Sequence, residues 1–195
     1  MKDVQITDEQ LIHQASRGDA AAFEQLMRAQ EGRMYAVALR MCGNREDALD
    51  CVQEAMLRVY RAMKGFKGQS SFATWIYRVT MNTCLDELRR RKVRTASSLD
   101  AMLDAGWAPT DESDTPEQHS VASEQRRMLE QAIAGLPEDM RAAIVLRDVQ
   151  GFSYEEIAEM LDANVGTIKS RISRGREKLR EVLRRQPELF GRYPV

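Results

Sequence analysis

Apolar residues recur three and four positions apart along most of the chain, and alternating runs are nearly absent. Glycines fall at breaks and β-branched residues are scattered, so the pattern predicts an all-α fold. Thr7 and Gln10 form a capping-box pair for a first helix ending near Gly18, and Asp19 is placed to cap a second running to about Met41. Gly43 stops that helix and Asn44 opens a third, whose apolar stripe is Ala48, Val52, Ala55, Met56, Val59, Tyr60 and Met63. After Gly65, Ser70 or Ser71 begins a fourth helix through Trp75, Val79, Leu85 and Leu88 into the basic run at Arg89–Arg94. Four helices in this order predict one bundle.

From Thr95 to His119 the pattern lapses into small, acidic and Pro-containing sequence without Lys or Arg, which reads as a flexible acidic linker. Thr115, Pro116 and Gln118 then mark a helix start, with the helix reaching about Ala134. Leu136-Pro137-Glu138 opens another that runs to Val149. Ser153 and Glu156 form a capping box for a short helix closed by Leu161, and Asn164 caps a final helix that Pro187 terminates. The expected architecture is two small helical domains, 1–94 and 116–195, joined by a linker at 95–115.

Charge sharpens the second domain. The 195 residues carry a net charge of −1, yet Ser153–Asp162 holds four acids and no base, while Val165–Arg185 holds eight bases against two acids. A basic helix on a neutral chain marks a local polyanion-docking face, since screened attraction acts over only about 10 Å. Ile157, Leu161, Val165, Ile168 and Ile172 are spaced to pack the two helices together, with Ala158 at their approach. That is a helix-turn-helix, with Lys169, Ser170, Ser173 and Arg174 directed at bases or backbone. Asp162 stands at a turn position where such units often have Gly. The bland alternative is a solvated basic helix.

In the first domain, Phe66-Lys-Gly-Gln-Ser-Ser-Phe72-Ala-Thr-Trp75-Ile-Tyr77-Arg78 gathers four of the twelve aromatics beside bases and hydroxyls. Buried core is one reading, particularly for Trp75. The polar loop between the two Phe supplies charges for phosphates and rings for bases, the requirements of single-stranded DNA. Cys42, Cys51 and Cys84 have unpatterned spacings and only His13 and His119 as further soft ligands, so they read as core thiols rather than a zinc site. A redox pair of Cys42 and Cys51 is the alternative. There is no Gly-rich phosphate loop, metal cluster or catalytic constellation, so no cofactor and no enzymatic role are expected. No apolar signal core or membrane span is present in the sequence, and a cytoplasmic location is expected.

Asp47-Ala-Leu-Asp-Cys-Val-Gln-Glu-Ala, the Phe66–Arg78 stretch and Asn82-Thr-Cys-Leu-Asp-Glu-Leu-Arg-Arg resemble region 2 of extracytoplasmic-function (ECF) sigma factors, group IV of the sigma-70 family. Leu136-Pro-Glu, Gly151-Phe-Ser-Tyr-Glu-Glu-Ile-Ala and Val165-Gly-Thr-Ile-Lys-Ser-Arg resemble region 4. The resemblance implies a sigma factor that binds core RNA polymerase and directs promoter-specific initiation, with a role in stress response. Asp47, Asp50, Gln53, Glu54 and Arg58 would bind the clamp coiled coil, and the polymerase flap would be a second contact. Lys67, Ser70, Ser71, Phe72 and Asn82, with Trp75, Tyr77 and Arg78 nearby, would capture and melt the −10 element. Thr167, Lys169, Ser170, Arg171, Ser173, Arg174 and Arg176 would read the −35 element of promoter DNA. An anti-sigma factor would cover these surfaces.

Energetics independently call for a partner. Melting about a dozen base-pair steps costs roughly 15 kcal/mol at ~1.4 kcal/mol each. Two captured bases return only ~1–3 kcal/mol apiece. A chain of this kind selects and nucleates a bubble that a larger machine must hold open. A polymerase-independent repressor or activator is the rival, but no dimerisation seam stands out.

Overall fold

The computed structural model describes residues 8–97 and 121–190. Every regular element among them is helical. The N-terminal unit comprises α1 (Asp8–Ser16), α2 (Ala20–Cys42), α3 (Arg45–Ala62), a 3₁₀ turn (Met63–Gly65) and α4 (Phe72–Ser97). The C-terminal unit comprises α5 (Val121–Ala134), α6 (Glu138–Ile144), α7 (Tyr154–Met160), α8 (Val165–Arg184) and the short α9 (Pro187–Phe190). The Thr7 and Thr115–Gln118 start signals lie outside the described residues. No described helix is long and apolar enough to cross a membrane.

Local hydrogen bonds set the helix starts. Asp19 accepts from the Ala21 and Ala22 amides, Asn44 from Asp47, and Asn164 from Thr167. Ser153 and Glu156 make a reciprocal capping box. Each cap satisfies donors that the first helical turn would otherwise leave unpaired. At the other end of α2, Gly43 adopts φ 78° and returns its N–H to the Leu39 carbonyl.

In the first unit, α2 packs against α1, α3 and α4 around fully buried Met34, Val37, Met41, Ala55, Val59 and Met81. Buried Thr80 and Thr83 return their hydroxyls to the Ile76 and Val79 carbonyls, which satisfies them inside the apolar core. Tyr60 departs from the expected stripe: its ring is more than half exposed and stands edge-on to Phe23, 5.0 Å between centroids. Its position turns it to the rim of the bundle.

In the second unit, α6 and α7 pack on α8 through Ile144, Ile157, Ile168 and Ile172. The continuous helix expected to run to Val149 instead widens into a π turn at Val145–Val149, in which the Gln150 amide bonds the Val145 carbonyl. Gly151, at φ 81°, then reverses the chain and delivers Phe152 to the surface facing α4. Pro187 follows the end of α8 as expected, and it also starts α9, where its fixed φ suits a first turn.

Candidate nucleic-acid and polymerase interface

The α7–α8 pair has the geometry of a helix-turn-helix. Leu161 closes α7 on the Ile157 carbonyl, Asp162 takes φ 48°, the Ala163 amide reaches back to Ala158, and Asn164 opens α8. The seven −35 candidates separate into two groups. Arg171 bonds Asp139 at 2.7 Å, and Arg176 makes a two-pronged pair with Asp148 at 3.1 and 2.5 Å. Asp148 also holds Arg176 firmly in its protonated form. These two arginines brace α8 against α6 and the π turn. Thr167 belongs to the cap, bonding Asn164 through its amide and hydroxyl, and accepts the Ser170 hydroxyl on its carbonyl.

Lys169, Ser170, Ser173 and Arg174 are exposed on the outer face of α8. Lys169 stands 5.9 Å from the Tyr154 ring, and Arg147 covers the same ring at 4.8 Å. Two successive turns of α8 therefore present cations and hydroxyls outward, a surface suited to a major groove.

The Phe66–Arg78 stretch forms an aromatic-floored groove. Phe66 touches Phe72 and Trp75 with ring centroids 5.7 and 4.9 Å apart. Phe72 and Trp75 are both over nine-tenths covered; Trp75 forms the floor with Phe66, and Phe72 packs against both rather than projecting as a stacking platform. Above them lies an open groove of about 570 Å³ lined in part by Arg61, Lys67, Gln69, Ser70 and Arg78. Ser71 caps α4, accepting from the Thr74 amide and sharing a 2.7 Å bond with its hydroxyl. Asn82 is exposed about three turns further along α4. Tyr77 is buried against Phe152 of the second unit at 5.2 Å, and burial pushes its phenol pKa up.

The five docking candidates also divide. Asp50 and Gln53 are exposed on α3. Asp47 is held by Arg91 of α4 and by Asn44, while Arg58 joins Glu54 at 3.0 Å to Asp86 of α4 at 2.8 Å. Asp86 and Glu54 both favour the charged form of Arg58. Three of the five thus tie α3 within its own domain, leaving Asp50 and Gln53 outward.

Leu49 and Leu57, 43% and 49% exposed, flank Gln53 at helical spacing and extend that face. Sequence patterning passed over them because they fall off the buried stripe, which is itself the signal: large apolar residues on the wrong side of an amphipathic helix. Arg61 was also overlooked. Only the fold places it beside the groove.

A helical bundle with an aromatic, basic groove, followed by a helix-turn-helix with a basic outer face, defines a promoter-reading initiation factor. Residues 26–94 match Sigma-70 region 2, and residues 126–179 match Sigma-70, region 4. The chain is 38% identical over 180 residues to the ECF RNA polymerase sigma-E factor of Haemophilus influenzae, covering 90% of this chain and 94% of that one. It is 36% identical over 180 residues to the RNA polymerase sigma-H factor of Pseudomonas aeruginosa, covering 90% and 93%. Among solved structures, it resembles the sigma factor RpoE in complex with the anti-sigma factor NepR from Bartonella quintana, with TM-score 0.66, 25% identity and coverage of 83% and 96%. It also resembles CnrH in complex with the cytosolic domain of CnrY, with TM-score 0.60, 25% identity and coverage of 92% and 98%. The chain belongs to the ECF sigma factors of the sigma-70 family. It accordingly binds core RNA polymerase and directs promoter-specific transcription initiation.

Proposed function

We propose that promoter reading is divided between the two patches: the outer face of α8 takes the duplex −35 element and the groove above Phe66 and Trp75 takes single-stranded −10 DNA. The observation that carries this reading is the separation of cations on α8. Arg171 and Arg176 are neutralised by internal carboxylates, whereas Lys169 and Arg174 point outward with Ser170 and Ser173. At the groove, Lys67 and Arg78 supply phosphate contacts, Ser70 and Asn82 supply hydrogen bonds, and the aromatic floor offers an apolar seat for an extruded base. Trp75 acts by shaping that seat, Phe72 by packing against Phe66 and Trp75, and Ser71 by fixing the start of α4, while Tyr77 lies against Phe152.

Asp50 and Gln53, with Leu49 and Leu57, form the proposed face for the polymerase clamp. Asp47, Glu54 and Arg58 position α3 behind it. A surface of apolar residues rimmed by polar ones is the usual makeup of a protein interface. The protein acts as a specificity subunit with no catalysis of its own, in the cytoplasm where polymerase is found. An anti-sigma factor is the proposed inhibitor, in keeping with the complexes of the two similar structures.

The two patches cannot work while their domains touch. Elements centred about 25 base pairs apart lie about 85 Å apart along DNA. Residues 98–120 number 23. At full extension such a segment spans at most about 80 Å, enough, with the breadth of the domains, to reach both. The observed packing of Tyr77 on Phe152 is therefore a closed arrangement that must open on polymerase. Promoter-fragment footprinting with holoenzyme tests the division: α8 substitutions should remove upstream duplex protection, and groove substitutions should remove permanganate reactivity downstream.

A further inference from the structure

Cys42 ends α2, Cys51 lies in the second turn of α3, and Cys84 sits in the middle of α4. Folding gathers what the sequence scatters: the three sulfurs lie within 4.8 Å of one another, and the Cys42 and Cys51 sulfurs are 3.6 Å apart. All three cysteines are free and buried. Among the described residues, no His, Asp or Glu joins the cluster as a fourth ligand.

This donor set discriminates between metals. Structural zinc is almost always four-coordinate, whereas thiolate donors select soft ions such as Cu(I). Three sulfurs bound about 2.3 Å from a central ion stand about 4 Å apart, within the spacing seen here. Three thiolates around a monovalent ion leave two negative charges in the core; Arg91 acts electrostatically on Cys42, and Arg90 and Arg58 on Cys51, although each of these arginines also pairs with a carboxylate, Asp47, Glu87, and Glu54 with Asp86 respectively. A Cys42–Cys51 disulfide also fits the 3.6 Å sulfur separation, but it needs a two-electron oxidant and leaves Cys84 a free thiol, so engagement of the third sulfur distinguishes the two states.

We propose that Cys42, Cys51 and Cys84 form a three-thiolate site for Cu(I). Three Cu–S bonds form as three thiol protons leave, and copper enters and remains monovalent, so no electron is transferred. Cys42 is the entry point, because it is 8% exposed while Cys51 and Cys84 are 2% and 0%. Occupancy ties α2, α3 and α4 together one residue from Asp50, so the metal rigidifies the helix proposed to dock on polymerase.

The test is an anaerobic titration of the reduced full-length chain with Cu(I) in competition with a colorimetric bicinchoninate chelator. The expected result is one copper per chain, an X-ray absorption shell of three sulfurs and a raised melting temperature, since only the folded state brings the thiols together. Cys51→Ser and Cys84→Ser should each weaken retention by more than about 100-fold, beyond the loss expected from a mere supporting group. A second readout needs no variant: in a urea concentration that opens the copper-free chain, bound Cu(I) should slow iodoacetamide labelling of all three cysteines together. Failure to take copper from the chelator, a two-sulfur shell, protection of Cys42 and Cys51 alone, or retention of Zn(II) in preference to Cu(I) would each overturn the proposal.

Discussion

Arg78 Nη1 stands 3.2 Å from Glu159 Oε1, so a base from the candidate single-strand groove is paired with an acid from the first helix of the helix-turn-helix. Beside this pair, Tyr77 meets Phe152, and Arg141 of α6 donates to the Met41 carbonyl at the end of α2. Arg141 is a cation at a helix C-terminus, where the exposed carbonyls favour it. Its Nη2 bonds Leu136 at 3.0 Å, Nε is buried without a partner, and burial lowers its pKa. The closed arrangement thus engages Arg78, one of the groups proposed to hold −10 DNA.

Glu159→Ala should release Arg78 and strengthen binding of a −10 single-strand oligonucleotide. The pair is surface-exposed and worth ~0.2–1 kcal/mol, so the gain should be about 1.5- to 5-fold at low salt. Fluorescence anisotropy across a salt series reads it out; unchanged affinity would mean that the closed contact does not compete with DNA.

Arg174→Ala should weaken holoenzyme binding to a duplex promoter by ~1–3 kcal/mol if the guanidinium reads a base edge. If it touches only phosphate, the loss should be uniform across sequences and the salt slope should fall by about one. Arg171→Ala should act differently, lowering the thermal stability of the second unit through loss of its Asp139 pair. Equal DNA-binding defects with equal stability in the two variants would contradict the division of labour on α8.

A Cβ added at Gly175 would lie 2.8 Å from Ile144 Cγ1, where α8 crosses α6. Gly175→Ala should therefore destabilise the protein by ~1–2 kcal/mol through overpacking, even though Ala is the better helix former by about 1 kcal/mol. Chemical denaturation measures the sign, and a stabilised variant would show that α6 yields easily.

Asp162 adopts φ 48°, a left-handed conformation that costs a non-Gly residue energy. Asp162→Gly should relieve it and raise stability by about 0.5–1 kcal/mol, after Gly's greater unfolded-state entropy is counted. Thermal melts should show a higher midpoint; a lower one would mean that the Asp side chain stabilises the turn.

Helix starts were legible because a cap is local: Asp19, Asn44, Ser153 and Asn164 each bond an amide two or three residues ahead. The α8 core positions followed from spacing in the same way. What escaped was tertiary. Pairing of Arg171 with Asp139 and Arg176 with Asp148 spans about 30 residues of sequence, so a count of positive charge could not separate bracing arginines from presented ones. The π turn at Val145–Val149 has a sequence that reads as plain helix. The thiol cluster arises only where three helices converge.

The most direct test of the central claim is run-off transcription from a genomic fragment library with core polymerase, with and without the protein. Discrete transcripts that require it, share sequence elements near −10 and −35, and disappear with Asp50→Lys plus Gln53→Lys are the predicted result. Asn82→Ala should then bind those promoters yet open them poorly. Transcripts independent of the protein, or opening unaffected while duplex binding fails, would contradict the assignment of one grip to paired DNA and another to an extruded base.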